Sequence, residues 1–106
     1  MEGRTCIVVD DMIDTGSTII KASEALFAQG ASKVIVTATH GVLSGSAVDG
    51  LKNSRISEVI VTDTLPIPDD KRFDKLTVLR IAPLVARAIN EVFSDGSVTS
   101  LFDGNT

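Results

Sequence analysis

The 106-residue chain has no tryptophan or tyrosine, four phenylalanines, one cysteine and three prolines. With aromatics at 4% against 43% hydrophobic residues, the core is expected to be aliphatic. One cysteine excludes an internal disulfide, and the position of Cys6 inside the apolar run TCIVV marks it as a small hydrophobe rather than a reactive thiol. Basic runs are missing too. Ten Lys and Arg stand against 14 Asp and Glu, giving a net charge of −4, without the basic stripe that a nucleic-acid partner requires. No apolar run approaches the roughly 20 residues of a membrane span, and the N-terminus has no signal-peptide pattern, so a cytoplasmic setting is expected. A chain this short forms one domain, and so high an apolar content suggests a surface that meets another domain or subunit.

Four β-branched runs stand out: residues 5–9 (TCIVV), 33–37 (KVIVT), 58–62 (EVIVT) and 77–81 (TVLRI). Runs apolar on both faces suit parallel strands covered by helices on each side. Between the first two, residues 18–29 place Ile19, Ala22, Ala25 and Leu26 on one helical stripe, with Gly30 as the stop. A second helix is predicted over about 46–53 and a third over 83–93, where Pro83 suits a first turn. Strands alternating with helices predict a doubly wound, mostly parallel α/β sheet with right-handed crossovers. Ligands of such sheets bind beyond the carboxyl ends of the strands, which selects segments 10–18, 38–46 and 63–70.

The first of these segments carries the chemistry. Asp10 and Asp11 stand side by side where the first apolar run ends, and adjacent carboxylates repel unless hydroxyl donors or a cation meet them. Sugar hydroxyls are such donors, and Mg²⁺ is such a cation, one that shares its sites between carboxylate, water and substrate. After Met12 and Ile13, DTGST supplies Asp14, the hydroxyls of Thr15, Ser17 and Thr18, and Gly16 for close approach, all at a helix N-terminus. That combination is a phosphate cradle. A diol-binding acidic pair followed by an anion-binding loop describes a pocket for a sugar phosphate. The plainer reading of each feature alone is that Asp14 or Thr15 caps the helix and the acidic pair is a solvated strand end.

The stretch VVDDMIDTGSTI resembles the phosphoribosyl-diphosphate binding motif of the type I phosphoribosyltransferase fold. With VIVTATHGVLSGSAVDGL, EVIVTDTLPI, KLTVLRIAPLVARAI and GSVTSLF following in order, nearly the whole chain resembles the C-terminal part of the ribose-phosphate pyrophosphokinase family. The resemblance implies that Asp10 and Asp11 hold the ribose hydroxyls and that Asp14, Thr15, Gly16, Ser17 and Thr18 hold the 5-phosphate. It also implies that ATP, bound with Mg²⁺, passes its β,γ-diphosphoryl unit to the C1 hydroxyl of ribose 5-phosphate. Ser97, Thr99 and Phe102 would belong to a regulatory phosphate or ADP site at a subunit interface of a homo-oligomer. The family's ATP-binding domain, metal-binding histidine and basic catalytic loop lie upstream of the matching region. Residues 1–106 are therefore expected to be a single C-terminal domain that holds the ribose 5-phosphate half-site, with no catalytic or metal residue of its own and no turnover alone. Where the family commonly has a second loop glycine, this chain has Ser17.

Other readings remain open on the residues. A receiver-type signalling domain would use the same acidic pair for Mg²⁺ and Asp63 as phosphoacceptor, but DTGST has no role in that chemistry and no lysine closes the last strand. An ordinary phosphoribosyltransferase would carry a base-binding hood, and a non-catalytic regulatory homologue would not need the motif intact. His40, in ATHG, lies near the expected ligand end and is read as structural or ligand-facing.

Overall fold

A computed structural model describes residues 3–94. Four strands form one sheet in the order β1 (Thr5–Ile13), β2 (Lys33–Gly41), β3 (Glu58–Thr62) and β4 (Leu76–Leu79). Every neighbouring pair is parallel. The connections carry α1 (Ser17–Ala28), α2 (Ala47–Asn53) and a short 3₁₀ turn at Asp69–Lys71, and α3 (Ala82–Phe93) follows β4. The chain is thus α/β with a parallel sheet.

Sequential strand order decides where the core lies. A right-handed crossover between adjacent parallel strands places its helix on one face of the sheet, and repeating it in the same direction places the next helix there too. Val34 and Val36 of β2 and Val59 and Val61 of β3 are fully buried on that face, with Ile19 of α1 and Ala47 and Leu51 of α2. Cys6 and Val8 of β1 pack against the same cluster. On the opposite parity of β1, Ile7 and Val9 stay 63% and 75% exposed. α3 buries none of its residues, and Leu84, Val85, Ile89, Val92 and Phe93 are exposed along it.

Beyond the apolar runs the sheet carries on. β1 and β2 stay in register from Thr5 opposite Lys33 to Asp10 opposite Ala38, and again at Met12 opposite His40 and Ile13 opposite Gly41. Burial changes parity across this interval, so Ile13 and Gly41 point into the core although Cys6 and Val8 set the opposite phase. Gly41 is needed for closeness: a Cβ there would stand 3.0 Å from Ile67 and 3.2 Å from Val61.

Candidate functional site

Asp10 and Asp11 are the last polar residues of β1 rather than the loop beyond it, because ladder hydrogen bonds need backbone groups and not apolar side chains. Each carboxylate folds onto the next amide: the Asp11 N–H donates to Asp10 Oδ1 at 2.7 Å, and the Met12 N–H donates to Asp11 Oδ1 at 2.8 Å. Both side chains are exposed. A hydrogen bond with the Asp10 side chain, then the one from the Met12 amide, hold the Asp11 carboxyl below its ordinary value, and the charge of His40 adds to the effect. Asp11 is therefore ionised at neutral pH.

Five residues after Asp11, Gly16 takes φ 80° and ψ −3°, a left-handed conformation that glycine adopts without steric cost. Ser17 already begins α1, so the left-handed turn falls on Gly16 and not on Ser17. The Gly16 carbonyl accepts from the Ile20 N–H at 2.9 Å and closes the first helical turn. No side chain caps α1. Asp14 Oδ1 instead accepts the hydroxyl of Ser44, and Thr15 Oγ1 shares a 3.3 Å hydrogen bond with Ser17 Oγ. The sequence leaves open that Asp14 or Thr15 is simply a helix cap; in the structure neither is, and the first-turn amides remain available to an anion.

Asp10, Asp11, Asp14, Thr15, Gly16, Ser17 and Thr18 come together around one cleft of about 240 Å³, with Met12 and Ile19 completing its wall. A second loop supports it from β2. The Val42 and Leu43 amides both donate to the Ile13 carbonyl, at 2.9 and 3.0 Å, and the Ser44 amide donates to the Asp14 carbonyl at 3.0 Å. Segment 38–46 was expected at the ligand end, but Ser44 itself carries no local signal; its contacts form only when the two crossovers meet.

His40 is half-buried and does not line the cleft. Its Nδ1 lies 2.7 Å from Thr64 Oγ1, which ties the end of β2 to the segment after β3. Asp63 Oδ1 accepts the Ile81 N–H at 2.8 Å and so joins the end of β3 to the start of α3, a structural use of the residue a receiver domain would phosphorylate. Ser97, Thr99 and Phe102 lie outside the described residues. Among the described residues no three His, Cys, Asp or Glu side chains group as a metal site, and no helix is long and apolar enough to cross a membrane.

The phosphoribosyl synthetase-associated domain family matches residues 1–103. The chain is 66% identical over 103 residues to the ribose-phosphate pyrophosphokinase of Streptomyces avermitilis, covering 97% of this chain and 32% of that relative. To the enzyme of the same name from Caldanaerobacter subterraneus it is 48% identical over 102 residues, 96% of this chain and 32% of the relative. The crystal structure of phosphoribosylpyrophosphate synthetase from Mycobacterium smegmatis superposes with a TM-score of 0.83 at 57% identity, over 90% of this chain and 32% of that one. The chain thus spans about a third of the length of the curated relatives it matches.

Proposed function

The chain belongs to the phosphoribosyl synthetase-associated domain family, and from that membership we propose that it carries the ribose 5-phosphate half-site of a ribose-phosphate pyrophosphokinase. One observation above all supports this reading: an uncapped helix N-terminus, opened by a left-handed glycine, shares a single cleft with the acidic pair. A sugar phosphate has the matching parts. Its phosphate would take the amides of the first turn of α1 and the hydroxyls of Thr15, Ser17 and Thr18, while its ring hydroxyls would donate to Asp10 and Asp11.

In the whole enzyme the C1 hydroxyl of ribose 5-phosphate would attack the β-phosphorus of ATP, releasing AMP and forming phosphoribosyl diphosphate. The part of this chain in that reaction is positioning: two fixed points on the sugar leave C1 as the free end and restrict its approach. The carboxylate oxygens of Asp10 and Asp11 are hard donors suited to Mg²⁺, which when bound would neutralise the developing phosphoryl charge. Two carboxylates are too few for a closed site, so such an ion would be shared with the substrates. Residues 1–106 would act as one domain without turnover alone, in a cytoplasmic homo-oligomer whose regulatory phosphate or ADP site includes Ser97, Thr99 and Phe102. The exposed Ile7 and Val9 are consistent with a sheet face that packs against further protein.

Calorimetric titration with ribose 5-phosphate, with and without Mg²⁺, tests the reading. The unaltered chain is expected to bind weakly, and an Asp10→Ala, Asp11→Ala double variant to bind roughly tenfold or more weaker, through loss of the charge-assisted hydrogen bonds. Absence of binding, or equal binding by the variant, overturns the half-site. AMP formation from ATP by this chain would overturn its dependence on further protein.

A further inference from the structure

The loop between β2 and α2 is held unusually firmly against the cleft. Its Leu43 is 1% exposed yet adopts φ 52°, left-handed backbone that a leucine rarely takes. Backbone strain of this kind persists where packing over-determines it, and it gathers at functional sites. Its result here is that three consecutive amides, those of Val42, Leu43 and Ser44, donate to the carbonyls of Ile13 and Asp14. The Ser44 hydroxyl then takes the Asp14 carboxylate as well.

That last contact answers a difficulty in the cradle. Asp14 is exposed, negative and two residues before Gly16, and an aspartate in this place readily turns its carboxylate onto the amides two or three residues ahead. In doing so it would occupy the donors that an incoming phosphate needs and add like charge beside them. We propose that Ser44 is a positioning residue that holds the Asp14 carboxylate off the Gly16 and Ser17 amides at the start of α1 and thereby keeps the cradle open for phosphate. The proposal rests on the sugar-phosphate reading of the cleft, and Ser44 acts only through Asp14.

Two NMR measurements on isotope-labelled chain separate the proposal from that reading. Without ligand, the Gly16 and Ser17 amide signals are expected to move in Ser44→Ala, as Asp14 turns onto them, and to return in Ser44→Thr, which restores a hydroxyl. With inorganic phosphate and then ribose 5-phosphate as probes, Ser44→Ala is expected to bind roughly fivefold or more weaker than the unaltered chain. In an Asp14→Ala background the same substitution is expected to change affinity less than about twofold, because the competing carboxylate is gone. A purely structural role predicts the opposite, an equal loss in both backgrounds, and that result overturns the proposal. So do ligand-free Gly16 and Ser17 signals that do not differ between Ser44→Ala and the unaltered chain. If ribose 5-phosphate fails to bind the unaltered chain, the half-site reading falls, while the ligand-free signals still decide what Ser44 does.

Discussion

Leu51→Ala is expected to lower stability by about 3–5 kcal/mol, read as a fall in the urea midpoint at unchanged slope. Leu51 is fully buried in the last turns of a seven-residue helix, among the valines of β2 and β3. Removing its side chain leaves a cavity that a helix this short cannot close from within. For a domain whose total stability is on the order of 5–15 kcal/mol, that is a large share. The same side chain lies beneath the cradle: a Cβ built on Gly16 would find Leu51 Cγ at 3.7 Å. The variant is therefore expected to weaken ribose 5-phosphate binding as well. As a control, Leu84→Ala on exposed α3 should cost no more than about 0.5 kcal/mol. A loss below about 1 kcal/mol for Leu51→Ala would mean that α2 is not seated on the sheet.

The second large effect separates two neighbouring positions. Gly16→Ala is expected to cost about 1–2 kcal/mol, since a side chain makes left-handed backbone unfavourable by that amount. It should also weaken ribose 5-phosphate binding by roughly tenfold or more, because relief of the strain turns the first-turn amides away. Space is not the reason: the nearest atoms to an added Cβ, at 3.7–3.9 Å, are in ordinary contact. The penalty belongs to the backbone. Ser17→Gly, one residue later and already helical, is expected to cost about 1 kcal/mol or less and to weaken affinity less than Gly16→Ala does, because it removes one phosphate-binding hydroxyl and leaves the amides in place. Denaturant unfolding together with calorimetry measures both. Equal affinities in Gly16→Ala and the unaltered chain would remove the left-handed turn from the account of phosphate binding.

The contrast between these positions shows what can be read from the sequence. Glycine, hydroxyls and carboxylates within residues 10–18 are contiguous, so the cleft they form was legible before the fold was known. Strand lengths were not. The β-branched runs mark the sheet only as far as Val9 and Thr37, yet pairing continues to Ile13 and Gly41 through the polar or small residues Asp10, Ala38, His40 and Gly41 as well as Met12 and Ile13. The expected helix over 18–29 begins one residue earlier, at Ser17, because a left-handed Gly16 can be followed at once by helix. Ser44 was illegible for another reason. Its partner Asp14 is 30 residues away, and nothing near Ser44 announces which of the two serines in LSGS will meet it. Leu43 shows the same limit, since its residue type argues against the conformation that packing imposes.

The uneven depth of the structure has a consequence for how the molecule opens. α3 has no buried residue, whereas β2 and β3 contribute four fully buried valines, so local opening should be nearly free at one end and require global unfolding at the other. Amide hydrogens of α3 should exchange first and those of Val36 and Val61 last. A bound sugar phosphate raises the free energy only of those openings that disrupt its site. Protection would therefore rise along β1, α1 and β2 while α3 keeps its own rate, making α3 an internal clock against which occupancy of the cleft can be timed.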